Sequence, residues 1–193
     1  MKTLKFLIRI IYRLLFRIEI EGLDKIPENE GVIIAPNHIS NFDPPMLIGF
    51  LPHALKIMGK AELFKFKPFA WVLTKVGAFP INRGDADITA IKTAMRYLKA
   101  NFPLLIFPHG TRIKQGEDIP LKEGVILIAL RAKRNIVPAY ISGTFGFRHK
   151  ITLTFGDVFD LSEYYSAKLT PEEVKNLAGE LWEKMKSLNK ESL

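Results

Sequence analysis

The chain contains no cysteine among its 193 residues, which excludes disulfides, thiol catalysis and thiolate-held metals. Its histidines, His38, His53, His109 and His149, are scattered, without the paired spacing that seats a zinc ion, so no resident metal is expected. Long apolar runs are missing too. Charged residues interrupt every stretch before it reaches the length of a membrane span. There is no Gly-x-Ser-x-Gly elbow and no glycine-rich nucleotide loop, which removes the support for a serine hydrolase or a nucleotide-binding protein. Repeats, low-complexity tracts and linkers are also absent. With 48% hydrophobic and 25% charged residues the chain is globular, and its length fits one compact domain.

Negative charge is scarce at the start: no acidic residue precedes Glu19. A net charge of +8 and a pI near 9.6 favour an anionic partner. Lys5, Arg9, Arg13 and Arg17 recur every four residues, one basic stripe on a helix whose remaining surface is Leu, Phe and Ile. The spacing predicts an amphipathic helix over residues 1–18 lying in the interface of an anionic membrane, without crossing it. Charges run throughout this segment and no small-residue cleavage site follows, so no secretory signal is expected. A core-packing helix is the competing reading. Nucleic acid is not expected as partner, because the basic residues sit among aliphatics and no RNA-binding aromatic motif or zinc signature occurs.

Beyond residue 18 the patterning alternates strands and helices. Apolar, β-branched runs predict strands at Ile18–Gly22, Gly31–Ala35, Ala54–Gly59, Gly77–Ile81, Pro103–Phe107 and Ile136–Ile141. Helices are expected over Pro44–Phe50, Lys67–Val76, Asp85–Ala100 and Gly124–Lys133. Thr170-Pro171-Glu172-Glu173 is a capping box that opens a last one through Leu188. Ile151–Phe155 alternates and reads as an edge strand. The expected fold is a single α/β domain, residues 19–193, with a mostly parallel twisted sheet, helices on both faces, and the amphipathic helix in front.

Ligands of such sheets gather where strands end, and three strand exits carry chemistry. The first reads Pro36-Asn37-His38-Ile39-Ser40-Asn41-Phe42-Asp43-Pro44, with Asp43 a plausible helix N-cap. His38 and Asp43 meet only if the chain turns between them, and Ser40-Asn41 is turn-prone. Paired, the carboxylate would fix the imidazole tautomer and leave the other nitrogen as a general base. Taken alone, the pair is better explained by a satisfied strand-end histidine beside a helix cap. The second exit places Arg83 in a glycine turn beside a helix start, where a surface arginine is an equal reading. The third, Pro108-His109-Gly110-Thr111-Arg112, offers a tight turn, a hydroxyl and a planar guanidinium suited to phosphate. A base–carboxylate pair beside two arginines fits acyl transfer to a hydroxyl of a phosphorylated molecule.

These corners resemble the motifs of the glycerolipid acyltransferase family typified by lysophosphatidic acid acyltransferase. Asn37–Pro44 resembles its first motif, with the His-x-x-x-x-Asp spacing, and Gly77-Ala78-Phe79-Pro80-Ile81-Asn82-Arg83-Gly84 its second. Phe107–Arg112 is similar to the third except at one position, and Val137-Pro138-Ala139 to the fourth. Leu121-Lys122-Glu123-Gly124 is similar to the Lys-x-Gly that follows the third. The series spans residues 20 to 143. The resemblance implies His38 as general base, Asp43 as its orienter, and Arg83 with Arg112 as phosphate ligands in a pocket shaped by Gly110 and Thr111. It further implies a lysophospholipid acceptor, an acyl-carrier protein or acyl-CoA thioester as co-substrate with no cofactor, and a monotopic place on the cytoplasmic face of the membrane.

The departure is His109, which stands where the family carries glutamate. That replacement leaves open a changed contact to the acceptor, a different lipid acceptor, or a non-catalytic relative that holds a lipid.

Overall fold

A computed structural model describes residues 2–51, 54–82, 87–114 and 117–190. Seven strands form one sheet: β1 (Arg17–Glu21), β2 (Ile33–Pro36), β3 (Lys56–Lys60), β4 (Ala78–Ile81), β5 (Leu104–Leu105), β6 (Ile136–Gly143) and β7 (Lys150–Phe155). Their order across the sheet is β1-β7-β6-β2-β5-β3-β4. Every neighbouring pair is parallel except β6 and β7. The mostly parallel sheet expected from the alternating pattern is therefore present.

Two helical layers cover it. α1 (Lys2–Leu15), α2 (Asp43–Phe50) and α3 (Lys67–Lys75) lie on one face. α4 (Ile88–Lys99), α5 (Gly124–Ala132) and α6 (Pro171–Lys186) lie on the other. This division follows from right-handed crossovers: β2-α2-β3 and β3-α3-β4 step one way along the sheet, β4-α4-β5 and β5-α5-β6 step back. The expected capping box is formed at α6, where Thr170 Oγ1 accepts from the Glu173 amide and Glu173 Oε2 accepts from the Thr170 amide.

The structure departs from expectation in three places. First, β7 is not an edge strand, because β1 pairs with it in parallel and closes that side. Its Ile/Thr alternation is the pattern of a half-wet strand, yet Thr152 and Thr154 are both buried. The true edges are β1, with exposed Glu19 ion-paired to Lys150 at 2.8 Å, and β4, where the exposed Pro80 needs no ladder partner. Second, Asp43 does not cap α2. The capping position is Phe42, without a side-chain cap, and the Asp43 carboxylate is used elsewhere.

Third, the basic stripe of α1 is not a continuous wet face: Lys5 and Arg9 turn inward while Arg13 stays exposed, and Arg17 belongs to β1. Lys5 Nζ donates to the Leu51 carbonyl at 2.9 Å and Arg9 Nε to the Gly49 carbonyl at 2.6 Å. These oxygens stand at the C-terminal end of α2, where orphan carbonyls and the helix dipole both favour cations. Burial, and then the charge of Arg9, hold the Lys5 ammonium below its usual range. The contact needs close approach: a Cβ at Gly49 would stand 2.6 Å from Ile8 Cγ2. Tyr12 and Phe16 complete the seam as buried residues, and Phe16 alone contributes about 1.5–3 kcal/mol. Lys5 and Arg9 of α1 thus face the protein, while Phe6, Leu7, Ile10, Ile11, Leu14 and Leu15 face out.

Candidate active site

β2 ends at Pro36, and the next side chain anchors the turn. Asn37 Nδ2 donates to the Ile141 carbonyl at 3.0 Å while its Oδ1 accepts from the Ile141 amide at 2.6 Å. A buried side chain thereby completes the β6 ladder just where β2 stops. In the sequence Asn37 is only one letter of a motif, since its partner lies 104 positions away.

The chain then turns at Ser40-Asn41, as the turn-prone pair requires. His38 Nδ1 stands 2.6 Å from Asp43 Oδ2. The same oxygen accepts the Ile39 amide at 2.7 Å and the Ser40 amide at 2.8 Å. Three donors on a fully buried carboxylate oxygen keep it in place as an acceptor. Nδ1 is therefore the nitrogen that donates to Asp43, and Nε2 is the other ring nitrogen. His38 is 8% exposed, and its ring stacks on Phe107 with centroids 4.2 Å apart. Tyr12 of α1 reaches the same corner and donates to the Phe42 carbonyl at 2.8 Å. Burial, and then the Asp43 charge, push its phenol well above the ordinary range, so it stays a donor.

β5 adjoins β2 in parallel, which brings the third exit beside the first. The two are bonded directly: the Ile113 amide donates to the His38 carbonyl at 2.8 Å. Gly110 takes φ +70° in this turn, a region open to glycine at no steric cost, and a Cβ there would press on the Lys122 side chain at 3.2–3.3 Å. Thr111 and Arg112 stand exposed on the loop. There a hydroxyl and a guanidinium can meet an anionic group approaching from solvent.

His109 is also buried, but its surroundings differ. A carbonyl only accepts, so the 3.1 Å contact to Ile119 O makes Nε2 the protonated nitrogen. Burial, more than the proximity of His38, holds its pKa below the usual value against the raising effect of that carbonyl, and the ring is neutral. Nδ1 is a buried acceptor without a protein partner. The ring meets Trp182 of α6 edge-on, centroids 4.7 Å apart, and Trp182 Nε1 donates to Asp118 at 2.6 Å. Neither aromatic nor acid is signalled by local pattern.

Arg83 lies outside the described residues. β4, which ends at Ile81, runs parallel to β3, and β3 to β5, so β4 ends on the same edge of the sheet as β2. Three strand spacings separate them, about 14 Å. Beside β4 a cavity of about 320 Å³ opens, lined by Phe79, Pro80, Asn82, Asp87, Ala90 and Thr93 among others. Asp87 borders it as the cap of α4, accepting from Ala90 N at 2.9 Å. Among the described residues, no three His, Asp or Glu side chains gather where they would hold a metal ion.

A hydroxyl that must lose a proton would find here a buried histidine oriented by a carboxylate. A family model described as Acyltransferase matches residues 17–142. The 1-acyl-sn-glycerol-3-phosphate acyltransferase of Bacillus subtilis (strain 168) is 35% identical over 137 residues, 70% of this chain and 68% of that protein. The enzyme of the same name from Streptococcus pneumoniae (strain ATCC BAA-255 / R6) is 31% identical over 177 residues, 88% of this chain and 65% of that protein. The crystal structure of the acyltransferase PlsC from Thermotoga maritima superposes with a TM-score of 0.75 at 21% identity, covering 97% of this chain and 77% of that one. That last likeness speaks to the fold. The matched segments span about two thirds of the two bacterial relatives. With the motif order, the buried His–Asp corner and the parallel sheet all in agreement, the chain belongs to the acyltransferase family.

Proposed function

We propose that the protein moves a fatty acyl group from a thioester, carried by acyl-carrier protein or coenzyme A, to the free hydroxyl of a lysophospholipid. Lysophosphatidic acid is the acceptor favoured, giving phosphatidic acid. The observation that carries the reading is the His38–Asp43 pair at 2.6 Å, buried at a strand exit and bonded to the third corner. His38 Nε2 removes the hydroxyl proton as the oxygen attacks the thioester carbonyl, and Asp43 stabilises the imidazolium that forms. Collapse of the tetrahedral intermediate breaks the C–S bond, and the imidazolium returns its proton to the thiolate. Arg83 and Arg112 hold the acceptor phosphate, and Gly110 and Thr111 shape that pocket. His109 contributes the acceptor atom Nδ1 without the charge of a glutamate.

Residues 1–18 carry the membrane-interface helix, α1, and residues 19–193 the catalytic domain, whose sheet already begins at Arg17, peripheral on the cytoplasmic face of the membrane. The six outward apolar residues of α1 support this reading. Among the described residues, no helix is long and apolar enough to cross a bilayer.

The test is acyl transfer on vesicles with lysophosphatidic acid, given acyl-carrier protein thioester or acyl-CoA in separate reactions. Product from the wild type and none from His38→Ala is the expected result. A wild type silent on lysophosphatidic acid but active on another lyso-lipid would move the acceptor assignment and implicate His109. Silence on every acceptor would overturn catalysis in favour of a lipid-holding relative.

A further inference from the structure

The loop and helix between β3 and β4 form a second outward apolar surface, one that the motifs do not use. A one-turn 3-10 helix (Ala61–Phe64) leads into α3, and none of the nine residues of α3 is buried. Leu63, Phe66, Phe69, Trp71 and Val72 are exposed there, Trp71 at 65% and Phe66 at 68%. On the opposite layer, only Ile88 of α4 among the described residues is a large apolar side chain left exposed by a helix. A cluster of two phenylalanines, a tryptophan, a leucine and a valine exceeds the scatter normal for a soluble surface.

The charge around the cluster is of one sign. Lys65, Lys67 and Lys75 are exposed beside it, and Lys75 Nζ lies 5.5 Å from the Trp71 ring centre. Glu62 is the one acidic residue between Lys56 and Asn82, and Lys60 neutralises it at 3.3 Å. Aromatic rings ringed by lysines match a bilayer interface with anionic headgroups. α3 also shares its layer with α1, since Leu73 and Val76 enter the same core as Tyr12 and Phe16.

We infer that the Leu63–Lys75 surface is a second bilayer contact, inserting its aromatic side chains among anionic lipids alongside α1; this rests on the membrane reading given above. Two separated contacts would fix the tilt of the domain. One helix alone would let it roll about its own axis. With both seated, the strand exits keep one orientation to the lipid surface.

Trp71 reports the contact directly, because the other tryptophan, Trp182, is 4% exposed and buried under the sheet. The full chain is mixed with vesicles of phosphatidylglycerol and phosphatidylcholine brominated on the acyl chains. Expected are a blue shift and quenching of emission in the wild type, with both missing in Trp71→Phe. A Phe66→Ser/Phe69→Ser/Trp71→Ser variant, altered only at exposed positions, should lose about tenfold or more in vesicle partitioning. Its turnover on a short-chain, water-soluble lysophosphatidate should stay at the wild-type level.

A Phe6→Ser/Leu14→Ser variant of α1 separates the two readings. Wild type that binds no vesicles would end the membrane reading as a whole. Wild type that binds through α1, with Trp71 unquenched and the triple variant unimpaired, would overturn this inference alone. A blue shift that grows with protein concentration in the absence of lipid would overturn it too, in favour of an interface between copies of this chain.

Discussion

Two buried histidines, one at each of two adjacent strand exits, have been given different work by their neighbours. His38 meets a carboxylate whose oxygen is also held by two backbone amides, so its ring is fixed and its other nitrogen is basic. His109 donates to a backbone carbonyl, which sets the opposite tautomer, meets the edge of Trp182, and is held below its usual pKa by burial against the raising effect of that carbonyl. The residue type is the same and the burial similar. What separates the proposed base from a structural acceptor is the charge and geometry of the single partner on the donating nitrogen.

The most severe way to break this comparison is His38→Ala, which should lower kcat by about 10²–10⁴, the range for loss of a general base. Asp43→Asn should fall in the same range, because the amide offers no charge to the imidazolium. Steady-state rates checked against unchanged circular dichroism decide this, and near-wild-type turnover in either variant would remove the pair from the mechanism. Arg112→Ala should act differently, raising the acceptor KM by about tenfold or more through the loss of a charge-assisted contact. Equal losses of kcat in His38→Ala and Arg112→Ala would sink the separation of roles.

At His109 the effect is on stability as well as specificity. His109→Glu removes the donor to Ile119 O and sets a carboxylate against that carbonyl, which should cost about 1–3 kcal/mol; His109→Gln can keep the bond. Denaturant titration compares them, and a glutamate variant with unchanged acceptor preference would make His109 a tolerated replacement. The pH dependence has a definite sign. The folded pKa of His109 lies below the ordinary 6.5, so the unfolded state binds more protons as pH falls through that value. His109 therefore contributes stability that is complete above about pH 6.5 and is lost as pH falls through its folded pKa. The slope of melting temperature between pH 7 and 5 should flatten in His109→Gln.

The smallest effect is expected at Tyr12→Phe, which deletes the bond from α1 to the Phe42 carbonyl beside His38. A loss of about 0.5–1.5 kcal/mol is the expected size. A shift well above that in urea unfolding would mean that α1 carries more of the active corner than one hydrogen bond.

Much of the fold and of the His38 corner is legible in the residues alone. Apolar, β-branched runs locate the six strands of the alternating pattern, and Thr170 with Glu173 locates the start of α6. The spacing allowed His38 to meet Asp43 only if the chain turned at Ser40-Asn41, and the tertiary structure supplies that turn. The strand identity of Ile151–Phe155 is readable and its place in the sheet is not, since alternation reports local period and is silent about which strand lies alongside. The same limit hides the Asn37 clamp on Ile141 and the Trp182 contact of His109.

α1 shows the boundary most sharply. Its sequence determined that one side is cationic and the other apolar, because a period near 3.6 sorts residues onto faces whatever surrounds the helix. Which side meets the protein was decided only by the tertiary structure. The last turn of α2 presents carbonyls with no partner of their own, and Gly49 lets α1 come close enough for Lys5 and Arg9 to supply the donors. These two cations turned inward to satisfy them, and the apolar side was left facing out.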